Sequence, residues 1–100
     1  MIKHIVLWKL TDQLTKEEKN EVVAAAKKHL EGLKGKIDGL IDIQVEIDPL
    51  ASSNVDLMLD STFASEEALA NYAVHPEHVA VADAYVRPYI KTRSCIDFGM

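Results

Sequence analysis

The stretch from Ile41 to Phe63, IDIQVEIDPLASSNVDLMLDSTF, decides the fold. Its first part alternates strictly, with Ile41, Ile43, Val45 and Ile47 on one side and Asp42, Gln44, Glu46 and Asp48 on the other, the period of a half-buried strand. Pro49 to Asn54 carries turn chemistry. Val55, Leu57, Leu59, Ser61 and Phe63 then face away from Asp56, Met58, Asp60 and Thr62, so a second strand returns beside the first as an antiparallel partner.

Working outward, Thr15 followed by Glu17 and Glu18 is a capped helix start, and Val23, Ala26, Leu30 and Leu33 recur at helical spacing until Gly35 stops the run. Ahead of it, Ile2 to Leu10 (IKHIVLWKL) reads as a strand with Ile2, His4, Val6, Trp8 and Leu10 on one face and Ile5 and Leu7 on the other. Downstream, Ser65 with Glu66 and Glu67 opens a second helix whose Leu69, Tyr72 and Ala73 share a face. Pro76 interrupts that helix, a second piece carries Val79, Ala82 and Val86 towards Pro88, and Thr92 to Phe98 forms a last strand. The order β-α-β-β-α-β is the α+β, ferredoxin-like arrangement, expected as one domain over residues 1–100 with a four-stranded antiparallel sheet.

A formal charge of -5 is the wrong sign for attracting phosphates or an anionic leaflet, so neither nucleic acid nor membrane is an expected partner. The run Ile5-Val6-Leu7-Trp8 is too short for a signal-peptide core, and the expected location is cytoplasmic. Cys95 stands alone, with no second cysteine for an internal disulfide. No Gly-rich phosphate loop is present, and no cofactor is expected.

The β-α-β-β-α-β order places both helices on one side of the sheet and leaves the other side open. The first strand is apolar on both faces, so a second copy packed sheet to sheet is the simplest cover, burial yielding ~25 cal/mol per Å². A homodimer is the expectation; a solvated open face, suggested by the acids of the second strand, is the alternative.

The chemistry concentrates around His75-Pro76-Glu77-His78. His78, Ala82 and Tyr85 share one face of the post-proline helix, so His78 can meet an apolar surface while titrating near neutral pH. A base of that kind, with the Tyr72 phenol near a developing oxyanion, suits proton abstraction from carbon. The structural alternative is a His78 that simply bonds a backbone carbonyl below the kink. His75 precedes proline, and its expected task is local backbone bonding. His75 and His78, even with Glu77 or Asp83, are weak evidence for zinc, so no metal is expected. His4, beside Val6 and Trp8, reads as a core group or a cavity wall, and Arg87 as a surface partner of Asp83.

Lys3-His4-Ile5-Val6, Thr62-Phe63-Ala64-Ser65 and Tyr72-Ala73-Val74-His75-Pro76-Glu77-His78 together resemble the stress-responsive A/B barrel (Dabb) family, and the resemblance runs nearly end to end. It implies a dimeric α/β barrel in which each subunit encloses a cavity. One plant branch of that family cyclises polyketides by intramolecular aldol condensation, and its pattern places the general base on His78, a tyrosine partner on Tyr72 and a pocket histidine on His4. Where that branch has a further pocket histidine on the third strand, this chain has Leu57. The resemblance thus implies a pocket, with Val6, Trp8, Leu57, Leu59, Ala82 and Tyr85 as walls, more than it implies one reaction. Two functions fit: a binding module for a small hydrophobic or aromatic ligand, and an enzyme using His78 with Tyr72.

Overall fold

The computed structural model describes residues 1–100. Its elements are β1 (Ile2–Leu10), α1 (Lys16–Glu31), β2 (Leu40–Glu46), β3 (Leu57–Phe63), α2 (Glu66–Val74), α3 (Pro76–Tyr85), a short 3₁₀ turn (Arg87–Tyr89) and β4 (Ile90–Gly99). The strands form one antiparallel sheet in the order β2-β3-β1-β4. This is the ferredoxin-like α+β fold, with its second helix in two pieces.

Every second residue of β1 from His4 to Leu10 is buried. Val6, Trp8 and Leu10 meet Leu57, Leu59 and Phe63 of β3 and Val23, Ala26 and Leu30 of α1 in one core. The other face is open. There Ile5 and Leu7 stand opposite Ile96 and Ser94 of β4 and opposite Asp60 and Met58 of β3, while Lys3 stands opposite Phe98. Ile96 is 60% exposed and Phe98 46%, unusual values for strand residues of that kind.

Thr15 and Glu18 form the expected capping box: the Glu18 N–H donates to Thr15 Oγ1 at 3.1 Å, and the Thr15 N–H to Glu18 Oε1 at 2.9 Å. The helix ends at Gly32 rather than Gly35, which lies in the following turn at φ 85°. Leu33 and Ile37 fold from that turn into the core. Near the C-terminal end of α1, Lys27 Nζ donates to the Val45 carbonyl at 2.7 Å, and the Glu31 carboxylate accepts from the Val45 N–H at 2.9 Å. Two side chains thereby occupy backbone groups on the outer edge of β2.

The alternation expected for β2 breaks at its start. The ladder pairs Leu40 with Phe63 and Asp42 with Thr62, so two residues advance against one. This bulge puts Leu40, Ile43 and Val45 inside and leaves Ile41 outside, 43% exposed. Gly39, just before it, has φ 84°, and a Cβ there would stand 2.5 Å from Ala68 Cβ of α2. Only glycine serves both the left-handed backbone and that close approach.

The joint between α2 and α3 falls at Pro76. Ser65 caps α2, accepting from the Ala68 N–H at 3.1 Å. His75, extended at ψ 132°, ends α2 and caps α3 by accepting the Glu77 N–H on Nδ1 at 3.1 Å. Pro76 occupies the first position of α3, where its missing N–H costs nothing.

Candidate functional site

Between the inner face of β1 and β4 and the pair α2 and α3 lies a cavity of about 600 Å³ with mostly apolar walls. From β1, His4, Val6 and Trp8 form its floor, joined by Leu59 of β3. Tyr72 of α2, with His78 and Ala82 of α3, closes it from above. The proline joint sets this roof, because restarting the helix at Pro76 brings His78 back over the last turn of α2. There its ring packs on Tyr72 with centroids 4.0 Å apart.

Two residues expected as walls stand elsewhere. Leu57 is buried in the core opposite Trp8, on the inner face but at the start of β3, two residues before Leu59. Tyr85, at the end of α3, stacks flat on His29 of α1 with centroids 3.7 Å apart, and it lines a separate shallow cleft with Leu14 and Val22. The last turn of α3 lies against α1, so the helical face shared by His78 and Tyr85 diverges from the cavity.

His78 Nδ1 lies 3.3 Å from the Ala73 carbonyl. A carbonyl only accepts, so Nδ1 carries the proton and Nε2 keeps its lone pair. Burial lowers the His78 pKa below its ordinary value, against the pull of the Ala73 carbonyl, so the ring is neutral and basic at pH 7. Tyr72 is only 2% exposed, and its hydroxyl has no hydrogen-bond partner among the protein groups. Burial raises its pKa strongly, which keeps the phenol protonated as a donor.

β4 contributes a polar wall that the sequence reading missed: Arg93, Cys95 and Asp97. Antiparallel register places Asp97 opposite His4, Cys95 opposite Val6 and Arg93 opposite Trp8, so all three share the inner face. The Asp97 carboxylate contacts His4 Nδ1. Partial burial of Asp97 works against its ionisation, but His4, the Cys95 thiol and Arg93 outweigh this and hold its pKa low. Partial burial and the neighbouring Asp97 push the Cys95 thiol up. Beside His4 in the ladder, the Ser61 hydroxyl of β3 donates to the His4 carbonyl at 2.8 Å, fixing the backbone that carries the imidazole. The signal for this wall was the alternation of Arg93, Cys95 and Asp97 itself, readable only once β4 is paired with β1.

His75 and His78 do not converge on a shared point, each ring nitrogen Nδ1 being engaged by local backbone. Arg87 reaches the cavity rim and pairs with Asp83 at 2.5 Å. No helix is long and apolar enough to cross a membrane.

The chain is similar along its whole length to solved structures of the same architecture. A dimeric ferredoxin-like protein of unknown function from Bacteroides fragilis is 33% identical, with TM-score 0.92, over 99% of this chain and 95% of that one. A dimeric ferredoxin-like protein of unknown function from Thermobifida fusca is 27% identical, with TM-score 0.78, over 99% of this chain and 90% of the other. A Dabb family protein from Mesorhizobium loti, 23% identical with TM-score 0.74 over 99% and 95%, shares the fold. No curated protein matches the chain. The model of the stress responsive A/B barrel domain matches residues 2–100, and the chain belongs to that family, Dabb.

Proposed function

We propose that this protein is a homodimeric barrel module whose cavity binds a small hydrophobic or aromatic molecule bearing one acceptor oxygen. The observation that carries the reading is Tyr72, whose buried hydroxyl has no protein partner and whose ring lines a mostly apolar cavity. An unmet buried donor costs roughly 1–3 kcal/mol, which a ligand carbonyl or phenol oxygen offsets on binding. Assembly rests on the open face of Ile5, Leu7, Ile96 and Phe98, and on the dimeric state described for the Bacteroides fragilis and Thermobifida fusca proteins. The free Cys95 suits a reducing cytoplasm.

Trp8, the sole tryptophan, lines the cavity and reports on it. Titration with acetophenone and its ring-hydroxylated forms is expected to change Trp8 emission saturably in the wild type. In Tyr72→Phe, affinity is expected to fall roughly 5- to 10-fold, the worth of one hydrogen bond of about 1 kcal/mol. Equal affinity in the two proteins overturns the role of the hydroxyl.

A second reading is favoured by the His78 tautomer: a neutral imidazole with Nε2 free beside a protonated phenol has the parts for enolisation. His78 would take the α-proton of a bound ketone as Tyr72 donates to the enolate oxygen, the first half of an aldol-type ring closure like that of the polyketide cyclases. Hydrogen–deuterium exchange at the α-carbon of a bound aryl ketone, faster with wild type than with His78→Gln, is the expected sign. Equal exchange leaves a binding module.

A further inference from the structure

We propose that His4, Cys95 and Asp97 form a three-ligand site for a zinc-type divalent cation, with a fourth position open to the cavity. Their donor atoms all lie within 4.8 Å of one another. Cys95 and Asp97 are two residues apart on β4 and so project from the same face, and His4 stands directly across the ladder from Asp97. Three different ligand chemistries thus converge on one point of a cavity wall, held by sheet register rather than by a flexible loop.

The distances fit. Cys95 Sγ is 3.6 Å from His4 Nδ1 and 3.5 Å from Asp97 Oδ1. A tetrahedral zinc ion with metal–sulfur bonds of ~2.3 Å and metal–nitrogen or metal–oxygen bonds of ~2.0–2.2 Å separates its sulfur from the other ligands by roughly 3.5–3.6 Å. Only the third edge differs: the His4 and Asp97 atoms are in direct hydrogen-bond contact and must part by about 1 Å to admit the ion. Asp97, on an edge strand with its side chain 45% exposed, has room to turn.

Uptake is balanced by protons. The thiol releases its proton to solvent as the thiolate binds, the His4 proton resides on Nε2 so that the Nδ1 lone pair reaches the metal, and Asp97 binds as carboxylate. Sulfur with imidazole selects zinc or cobalt over magnesium or calcium, which prefer all-oxygen sites. Three protein ligands and an open position are the arrangement of catalytic rather than structural zinc. The open position faces the space beneath Tyr72, whose ring centroid is 6.3 Å from that of His4, so a bound ion would meet the oxygen of whatever enters. The site stands on its own donors and does not depend on the identity of an organic ligand.

The test is titration of metal-free, reduced protein with Co²⁺ under anaerobic conditions, followed by absorption, with Zn²⁺ as competitor. The expected result is one ion per chain, a thiolate-to-cobalt charge-transfer band, tetrahedral d–d bands, and displacement by Zn²⁺. Cys95→Ser is expected to abolish the charge-transfer band and weaken binding at least tenfold. Asp97→Asn is expected to weaken binding about tenfold, whereas His75→Gln leaves it unchanged. Both β4 substitutions lie at exposed positions, and their folding is checked by circular dichroism. Absence of the thiolate band in the wild type, affinity unchanged in both β4 variants, or loss of binding in His75→Gln each overturns the proposal.

Discussion

The ring of His78 meets the carbonyl of Ala73, five residues earlier, across the break that Pro76 makes between two helices. The contact leaves Nε2 unspent while burial lowers the pKa, so the joint that ends one helix also prepares a base. A lowered histidine pKa means that the unfolded chain binds the proton more readily than the folded one. Stability therefore falls as pH drops below the unfolded value of ~6.5, and the effect is absent above it. Melting temperatures at pH 7.5 and 5.5 are expected to differ less in His78→Gln than in the wild type. NMR titration is expected to place the His78 midpoint below 6.5.

Tyr72→Phe separates stability from function. Removing a buried hydroxyl that no protein group satisfies is expected to leave the fold as stable or to raise it by about 1 kcal/mol, a gain of ~4–8 °C in Tm for a domain of this size. Thermal denaturation without ligand checks this, and a Tm drop of several degrees shows that the hydroxyl has a structural task.

Gly39→Ala is expected to destabilise by about 2–4 kcal/mol, combining left-handed backbone strain with a clash against Ala68. Urea unfolding measures it. The double variant Gly39→Ala with Ala68→Gly is expected to recover the steric part and not the backbone part.

Charge placed on the outer sheet face tests assembly. Leu7→Lys and Phe98→Glu are expected to shift the mass seen by light scattering from dimer to monomer while helical circular dichroism persists, because these side chains lie on the open face. Val6→Lys is expected to unfold the chain instead, since Val6 is buried beneath the helices.

Much of the fold was legible because its signals are local. The capping box of Thr15 and Glu18, the cap at Ser65 and the break at Pro76 each depend on residues a few positions apart. Ile41 was misplaced because a bulge reverses the inward parity without disturbing the alternation of residue types. Tyr85 was misplaced because helical spacing says which residues share a face, not where that face ceases to cover the cavity. Tyr72, His78 and His4 were legible from motif, whereas Asp97 was not: its meeting with His4 spans 93 positions and exists only through the register of β1 with β4.

β4 turns its polar residues Arg93, Cys95 and Asp97 inward and its apolar Ile96 and Phe98 outward, the reverse of an ordinary edge strand over a core. Inside the subunit it therefore gains little from burial and is held chiefly by its ladder to β1. Whatever covers Ile96 and Phe98 from outside steadies the same strand that carries the carboxylate and thiol to His4. In the proposed sheet-to-sheet dimer, one side of a single strand would set the order of the other, and the cavity wall would respond to protein concentration through a surface that the cavity never touches.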